Sequence, residues 1–103
     1  MNKVYLLVKE SYIYWDNDYD TTFNVFLDKQ SAMNYLAVMK EMLLDEAMNE
    51  LNVTTVKEIE ALAEEENTVY DYANKDDYYH IDIEEWGHDY LYIIEKDVME
   101  FNI

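Results

Sequence analysis

Alternating side chains predict a β-hairpin at the start of the chain. Residues 3–14 are rich in β-branched and aromatic side chains, and their apolar positions recur with the two-residue period of a strand. A polar cluster at 16–20 favours a turn, and the alternation resumes over 22–27, where Phe23 and Val25 share one side. The two segments therefore predict a first antiparallel hairpin.

A three- and four-residue spacing of apolar side chains predicts a long helix over 28–51. Asp28 lies where an N-cap is expected, because its carboxylate can accept hydrogen bonds from the unpaired amides of the first turn. One apolar stripe follows the helix and consists of Ala32, Leu36, Met39, Leu43, Ala47 and Leu51. Met33, Tyr35 and Met42 widen this face. We interpret the wide face as packing against a sheet, with a role in an interface as the alternative.

A shorter helix is predicted next from a capping-box pattern. Thr55 and Glu58 have the spacing at which each side chain caps an amide near the other, and apolar residues follow at helical spacing. The segment 67–73 fits either a continuation of this helix or a strand over 68–72. The pattern does not decide between these two structures.

The last part of the chain predicts a second hairpin. Tyr79, Ile81 and Ile83 alternate with polar residues, which is typical of a strand with one buried and one solvated face. An apolar run over 90–94 follows. Gly87, the only glycine in the chain, lies between the two runs, where a hairpin turn requires a positive φ.

Together these elements predict a single α+β domain spanning residues 1–103. Its sheet is antiparallel, with about four strands from two hairpins, and one long and one short helix lie on one face in the order ββααββ. The chain has no proline and no segment of linker composition. Half of the residues are apolar and 16% are aromatic, which is enough for a packed core despite the high charge.

The acidic composition is the strongest functional signal. The chain has 24 acidic residues against seven lysines and no arginine, for a net charge of -17, and most of the excess follows residue 40. Direct binding to nucleic acid or to anionic lipid is not expected, because both attract cationic surfaces. There is no cysteine, no signal-peptide pattern and no apolar run near the roughly 20 residues that span a bilayer. These features predict a cytoplasmic protein.

Patterns associated with catalysis or metal binding are incomplete. Asp16, Asp18 and Asp20 resemble the opening of a calcium loop, but the glycine and the glutamate that complete such a loop are missing. His80 and His88 lie near aspartates, although histidines beside a hairpin more often belong to a solvated strand face. No serine lies in a glycine-framed nucleophile turn. We therefore predict a protein that is not an enzyme and that uses no cofactor and no metal.

Acidic side chains interleaved with aromatic ones form the candidate partner-binding set. Alternate strand residues lie about 6.6 Å apart on one face, so acids on a strand present regularly spaced negative charge, as phosphates do along a nucleic acid. Tyrosine and tryptophan are favoured at binding hot spots. The predicted contacts are Asp71, Asp76, Asp77, Asp82, Glu84 and Glu85, with Tyr72, Tyr78 and Trp86 as aromatic anchors and Glu64, Glu65 and Glu66 after them.

In size, net charge, lack of arginine and interleaving of Asp, Glu and Tyr, the chain resembles the small acidic inhibitors encoded by bacteriophages and mobile elements. These are the anti-CRISPR and anti-restriction proteins that act as DNA mimics. The resemblance implies that surface carboxylates occupy the basic groove of a nucleic-acid-binding protein, such as a restriction nuclease or a CRISPR effector. It also implies inhibition without catalysis, in the cytoplasm of the host cell.

Two other functions fit the same composition. An immunity protein or antitoxin would use the same charge to neutralise a basic toxin. A phage accessory protein would instead use the apolar helix face to act as an oligomeric assembly subunit. The sequence leaves open whether the working unit is a monomer or a homodimer.

Overall fold

Five strands and two helices are present in the computed structural model, which describes residues 3–65 and 68–98. In chain order they are β1 (Lys3–Ile13), β2 (Asp18–Phe26), α1 (Lys29–Leu51), α2 (Val56–Glu64), β3 (Val69–Lys75), β4 (Tyr78–Ile83) and β5 (Gly87–Asp97). The strands form one antiparallel sheet in the order β2-β1-β5-β4-β3. The long strands β1 and β5 therefore join the first hairpin to the C-terminal strands.

The prediction of about four strands in the order ββααββ is wrong, because the segment after α2 forms a further strand, β3. A β-bulge between Val69 and Asp71 shifts its register. As a result Val69 and Tyr72, three residues apart, both pack against the core, and a three-residue repeat is also what a helix produces. The helix α2 ends at Glu64, and Thr68, directly before β3, has a positive φ of 73°, which is not helical.

Both predicted helices are present, and each begins at its predicted cap. The Asp28 carboxylate accepts a hydrogen bond from the Ser31 amide at 2.7 Å, and the Thr55 hydroxyl accepts one from the Glu58 amide at 3.3 Å. Asn52 ends α1 in the left-handed conformation, with a φ of 56°. Within the described residues, no helix combines the length and the apolar character needed to cross a membrane.

The helices cover one face of the sheet, and the core lies between the two layers. The buried side chains of α1 are Ala32, Leu36, Leu43 and Ala47, all members of the predicted stripe. They meet a set of buried strand residues that consists of Leu7, Val69, Tyr79, Ile81, Ile83 and Leu91. Tyr35 and Met42 stay exposed, so the wider apolar face of α1 is not fully used in packing.

The opposite face of the sheet is not covered by either helix, and we call it the open face. From β2 and β1 it carries Tyr19, Thr21, Phe23, Val25, Val4, Leu6, Val8, Glu10 and Tyr12. From β5, β4 and β3 it carries His88, Tyr90, Tyr92, Ile94, Lys96, Tyr78, His80, Asp82, Asp71, Ala73 and Lys75. Aromatic and aliphatic side chains therefore dominate this surface, and its three carboxylates and two lysines leave it with little net charge.

Candidate protein-binding site

Two turns that are far apart in sequence lie side by side at one end of the sheet. Ile13, the last residue of β1, and Ile83, the last residue of β4, pair with Gly87 from its two sides. The Tyr14 amide then donates a hydrogen bond to the Trp86 carbonyl at 3.0 Å. The β1–β2 turn and the β4–β5 turn are thus held together by backbone contacts.

Gly87 makes this contact possible. It has a φ of +152°, and a Cβ at this position would lie 1.9 Å from the Tyr12 carbonyl oxygen. The positive φ agrees with the expectation, but the reason differs, because Glu85 occupies the left-handed turn position with a φ of 62°. The glycine instead lets β5 approach the backbone of β1 closely.

The start of β3 and the end of α2 come to the same end of the sheet. The Glu84 amide donates a hydrogen bond to the Thr68 carbonyl at 2.7 Å. Glu65 is three residues before Thr68, so at most about 11 Å of chain separates them. We define the acidic end as residues 14–20, 64–65, 68–71 and 82–86. These segments contain nine carboxylates, on Asp16, Asp18, Asp20, Glu64, Glu65, Asp71, Asp82, Glu84 and Glu85, and no lysine.

Aromatic side chains stand among these carboxylates. Trp15 is 75% exposed, and Tyr14 and Tyr70 are exposed as well. The Tyr14 hydroxyl donates to Asp82 at 2.5 Å, and its pKa is raised by burial and by this hydrogen bond. A hydrogen bond with Glu84 raises the pKa of Tyr70. Tyr14 and Tyr70 therefore each make a hydrogen bond to one carboxylate, of Asp82 and Glu84 respectively, while their side chains stay exposed to solvent.

The predicted contacts divide between two places. Glu64, Glu65, Asp71, Asp82, Glu84 and Glu85 come together at the acidic end, although they belong to four different elements and turns. Asp76 and Asp77 form the β3–β4 turn, at the other end of those strands, and Tyr78 follows them on the open face. Glu66 lies outside the described residues.

Two of the predicted aromatic anchors are only partly exposed. Tyr72 and Trp86 are half-buried and pack against the buried cluster on the helix side. The exposed aromatic side chains of the site are Tyr14, Trp15, Tyr19 and Tyr70, none of which is among the predicted anchors. Trp15 lies within the acid-rich segment 14–20, so the interleaving pattern used for the C-terminal segments was also present there.

Asp16 in the first turn and Asp18 and Asp20 at the start of β2 were also missed as binding residues. Asp16, Asp18 and Asp20 resemble part of a calcium loop in sequence, yet they lie at the acidic end beside the β4–β5 turn. Among the described residues, no group of three or more His, Cys, Asp or Glu side chains is placed to hold a metal ion. Their shared feature is therefore negative charge at one surface.

The two histidines lie in a cluster of tyrosines on the open face. The Tyr78 hydroxyl is 2.7 Å from His80 Nδ1, and His88 stacks on Tyr12 with ring centroids 5.6 Å apart. His80 Nε2 lies 2.7 Å from Asp71 Oδ2, a close polar contact that does not form a hydrogen bond within the described part of the chain. The histidines thus contribute packing and polar contacts within the aromatic surface.

A cavity of about 210 Å³ lies on the helix-facing side of the acidic end. Its lining includes Lys9, Ser11, Asp18, Asp20, Glu46, Trp86 and Asp89. Asp89 is only 4% exposed and accepts a hydrogen bond from the Ser11 hydroxyl at 2.5 Å. Its second carboxylate oxygen is buried without a hydrogen-bond partner in the described part of the chain, and burial raises the pKa of Asp89. Asp89 therefore differs from the exposed carboxylates of the acidic end, because burial destabilises its ionised form.

Replacing Asp89 with asparagine is expected to stabilise the protein. Because the pKa of Asp89 is raised on folding, the ionised carboxylate reduces stability once the pH rises above the ordinary value of 3.8, and the full penalty applies above the folded pKa. The asparagine side chain keeps an acceptor for the Ser11 hydroxyl, so we expect Asp89→Asn to gain roughly 1 kcal/mol at neutral pH. Urea unfolding at about pH 7.5 measures the gain, which is expected to shrink as the pH is lowered toward the ordinary pKa of 3.8.

The control for this change is Asp76→Asn, which neutralises an exposed carboxylate in the β3–β4 turn. This variant changes the net charge of the protein by the same amount, but it removes no buried carboxylate, so we expect little change in stability. A loss of stability in Asp89→Asn at the higher pH would show that the ionised carboxylate is satisfied in the folded protein.

The chain matches no protein-family model, no curated protein and no solved structure. Its function is therefore argued from the geometry and the charge of the acidic end.

Proposed function

We propose that this protein is a non-enzymatic inhibitor that binds a positively charged nucleic-acid-binding protein and blocks the site where DNA or RNA would lie. The observation that carries the proposal is the acidic end, where four separate segments that contain no lysine bring nine carboxylates together. A restriction nuclease or a CRISPR effector is the class of target that fits best. Such an inhibitor would act in the cytoplasm of a host cell.

The physical basis is the similarity between fixed carboxylates and phosphates. A groove that binds nucleic acid is lined with lysine and arginine, and its positive potential attracts any surface with a dense negative charge. Charge complementarity of this kind speeds the encounter and sets the orientation of the partners. The net charge of -17 strengthens the attraction at long range, while the acidic end directs it to one surface.

The backbone around the acidic end favours a defined arrangement of charge. Its two turns are joined through the Tyr14 amide and the Trp86 carbonyl, and the β4–β5 turn is joined to the start of β3 through Thr68. The Tyr14 hydroxyl also fixes Asp82. A site that is ordered before binding loses less conformational entropy when it docks. Trp15, which is largely exposed between these acids, supplies an aromatic side chain of the kind that dominates interface energies.

A competition experiment tests the proposal. A fluorescently labelled DNA duplex is bound to a restriction nuclease or loaded CRISPR effector, the protein is titrated in, and anisotropy reports the displaced DNA. We expect displacement, with an apparent affinity that falls at least about tenfold between about 50 and 200 mM salt. The control is a basic protein that has no nucleic-acid groove and an isoelectric point similar to that of the nuclease. Its affinity for this chain, and that of the nuclease, are also measured directly, with the chain itself labelled.

Two results would overturn the proposal. One is an affinity that does not change with salt, because electrostatic docking between exposed charges has to weaken as ions screen them. The other is equal affinity for the control, which would reduce the interaction to non-specific attraction between opposite charges. If a basic toxin bound tightly while no nuclease did, the acidic end would belong to an immunity protein or antitoxin instead.

A further inference from the structure

The edge strand β2 has apolar side chains on the open face that are far more exposed than Val8 on the neighbouring strand β1. Phe23 and Val25, on the open face of β2, are 65% and 58% exposed. Val8, the partner of Phe23 on β1, is only 7% exposed, although neither helix covers it. Val8 has a neighbouring strand on each side, whereas β2 has a described strand on one side only. The apolar side chains of β2 therefore lack a lateral neighbour.

The charges of β2 are placed away from this exposed surface. Asp18 and Asp20 lie on the side that faces the helices, and the open-face positions of β2 are Tyr19, Thr21, Phe23 and Val25, none of them charged. The acidic end attracts cations, but this strand offers backbone groups and apolar side chains instead. Long edge strands with such side chains tend to pair with another strand. The open face and the free edge of β2 thus fit a second β-strand and not a basic groove.

We propose that β2 pairs in antiparallel fashion with β2 of a second copy of this chain, about a two-fold axis at Thr22. Full overlap of the nine residues Asp18–Phe26 places Thr22 opposite itself, which is the self-complementary arrangement of a two-fold dimer. The five described strands of each copy then form one continuous ten-stranded sheet.

The acids of β2 avoid one another in this register. Asp20 lies opposite Asn24 of the second copy, and Asp18 lies opposite Phe26. Since Asn24 is four residues from Asp20, the two Asp20 side chains are about 14 Å apart along the strand, beyond the screening length of about 8 Å at physiological salt. Sliding the strands until their first halves overlap would place like charges opposite each other, which is destabilising.

The open-face side chains of β2 gain neighbours in the same register. Phe23 lies opposite Thr21 of the second copy, and Tyr19 lies opposite Val25. Aromatic and β-branched residues in such cross-strand pairs stabilise a sheet. The two-fold axis also points the two acidic ends in opposite directions along the sheet. Only their β2 residues 18–20 take part in the pairing, and the two turns and the other acidic segments stay uncovered. The dimer is therefore compatible with the proposed function and does not depend on it.

Sedimentation equilibrium of the purified chain tests the pairing without any other protein. We expect a reversible dimer and no larger species, with an association that strengthens as salt is raised, because each copy carries a net charge of -17. Binding to a basic partner has the opposite salt dependence, so the two proposals fail separately. We expect Val25→Lys to raise the dimer dissociation constant at least about tenfold.

The matched control is Val38→Lys, which adds the same charge at a similarly exposed valine on α1, since Val38 and Val25 are 57% and 58% exposed. It is expected to leave the dissociation constant within about threefold of the wild-type value. Hydrogen exchange gives a second measurement, in which β2 amides become protected as the concentration rises. A chain that stays monomeric up to about 1 mM would overturn the proposal. So would a dimer that both variants affect equally, or one whose concentration-dependent protection excludes β2.

Discussion

Replacing Gly87 with alanine is expected to remove more than about 4 kcal/mol of folding stability. A Cβ at this position would lie 1.9 Å from the Tyr12 carbonyl oxygen and 2.9 Å from the Tyr12 carbonyl carbon. Both atoms belong to the backbone of β1, which is paired with β2 on one side and with β5 on the other, so it has little freedom to move. Since small domains have total stabilities of about 5–15 kcal/mol, this loss is a large fraction of the total.

Chemical denaturation followed by circular dichroism measures this loss. The control is Glu85→Gly in the adjacent turn, where Glu85 has a φ of 62° and glycine relieves the strain of a left-handed residue. That variant is expected to be neutral or to gain about 0.5 kcal/mol. If Gly87→Ala lost less than about 1 kcal/mol, β5 would have room to move away from β1. The two turns of the acidic end would then be less tightly coupled than the hydrogen bonds imply.

Neutralising four carboxylates at the acidic end is expected to weaken target binding about 100-fold. The variant combines Asp16→Asn, Asp18→Asn, Glu84→Gln and Glu85→Gln, all of them exposed. An ion pair between exposed groups contributes about 0.2–1 kcal/mol, so four lost pairs at roughly 0.7 kcal/mol each give about 2.8 kcal/mol, or two factors of ten. The DNA competition assay at low salt measures the change.

The control variant removes four exposed carboxylates elsewhere, through Glu41→Gln, Asp45→Asn, Glu50→Gln and Asp76→Asn. Both variants have the same net charge, so attraction at long range is matched and only the location of the lost charges differs. We expect the control to bind within about fivefold of the wild-type protein. Equal losses in the two variants would mean that the target senses overall charge, and the acidic end would then have no special role.

Only some residues of the acidic end could be predicted from the sequence, because its segments are far apart along the chain. Asp82, Glu84 and Glu85 are close in sequence, and their interleaving with aromatic residues indicated a binding surface. Asp16 and Trp15 are some 70 residues earlier, and nothing local connects them with those acids. They come together because Ile13 and Ile83 both pair with Gly87.

For Tyr72 and Trp86, the predicted anchors, the sequence pattern does not determine the direction of the side chain. Interleaving of acids and aromatics indicates that an aromatic residue lies near charge, but not which way its ring points. The bulge in β3 turns Tyr72 toward the helices, and Trp86 packs against the core from its turn. Both directions result from backbone geometry that a side-chain pattern does not record.

Short-range signals in the sequence were enough for both helices, both caps, the existence of the first hairpin and the alternation of β4. The first turn itself spans 14–17 and not the predicted 16–20, because β2 begins at Asp18. Each of these features depends on contacts between residues a few positions apart, such as Asp28 with Ser31 or Thr55 with Glu58, and the net charge needs no structure at all. The strand β3, the order of the sheet, the exposed edge at β2 and the acidic end appear only in the folded molecule. Strand pairing and packing link residues across most of the chain, and their free energy depends on which segments meet, which no local pattern contains.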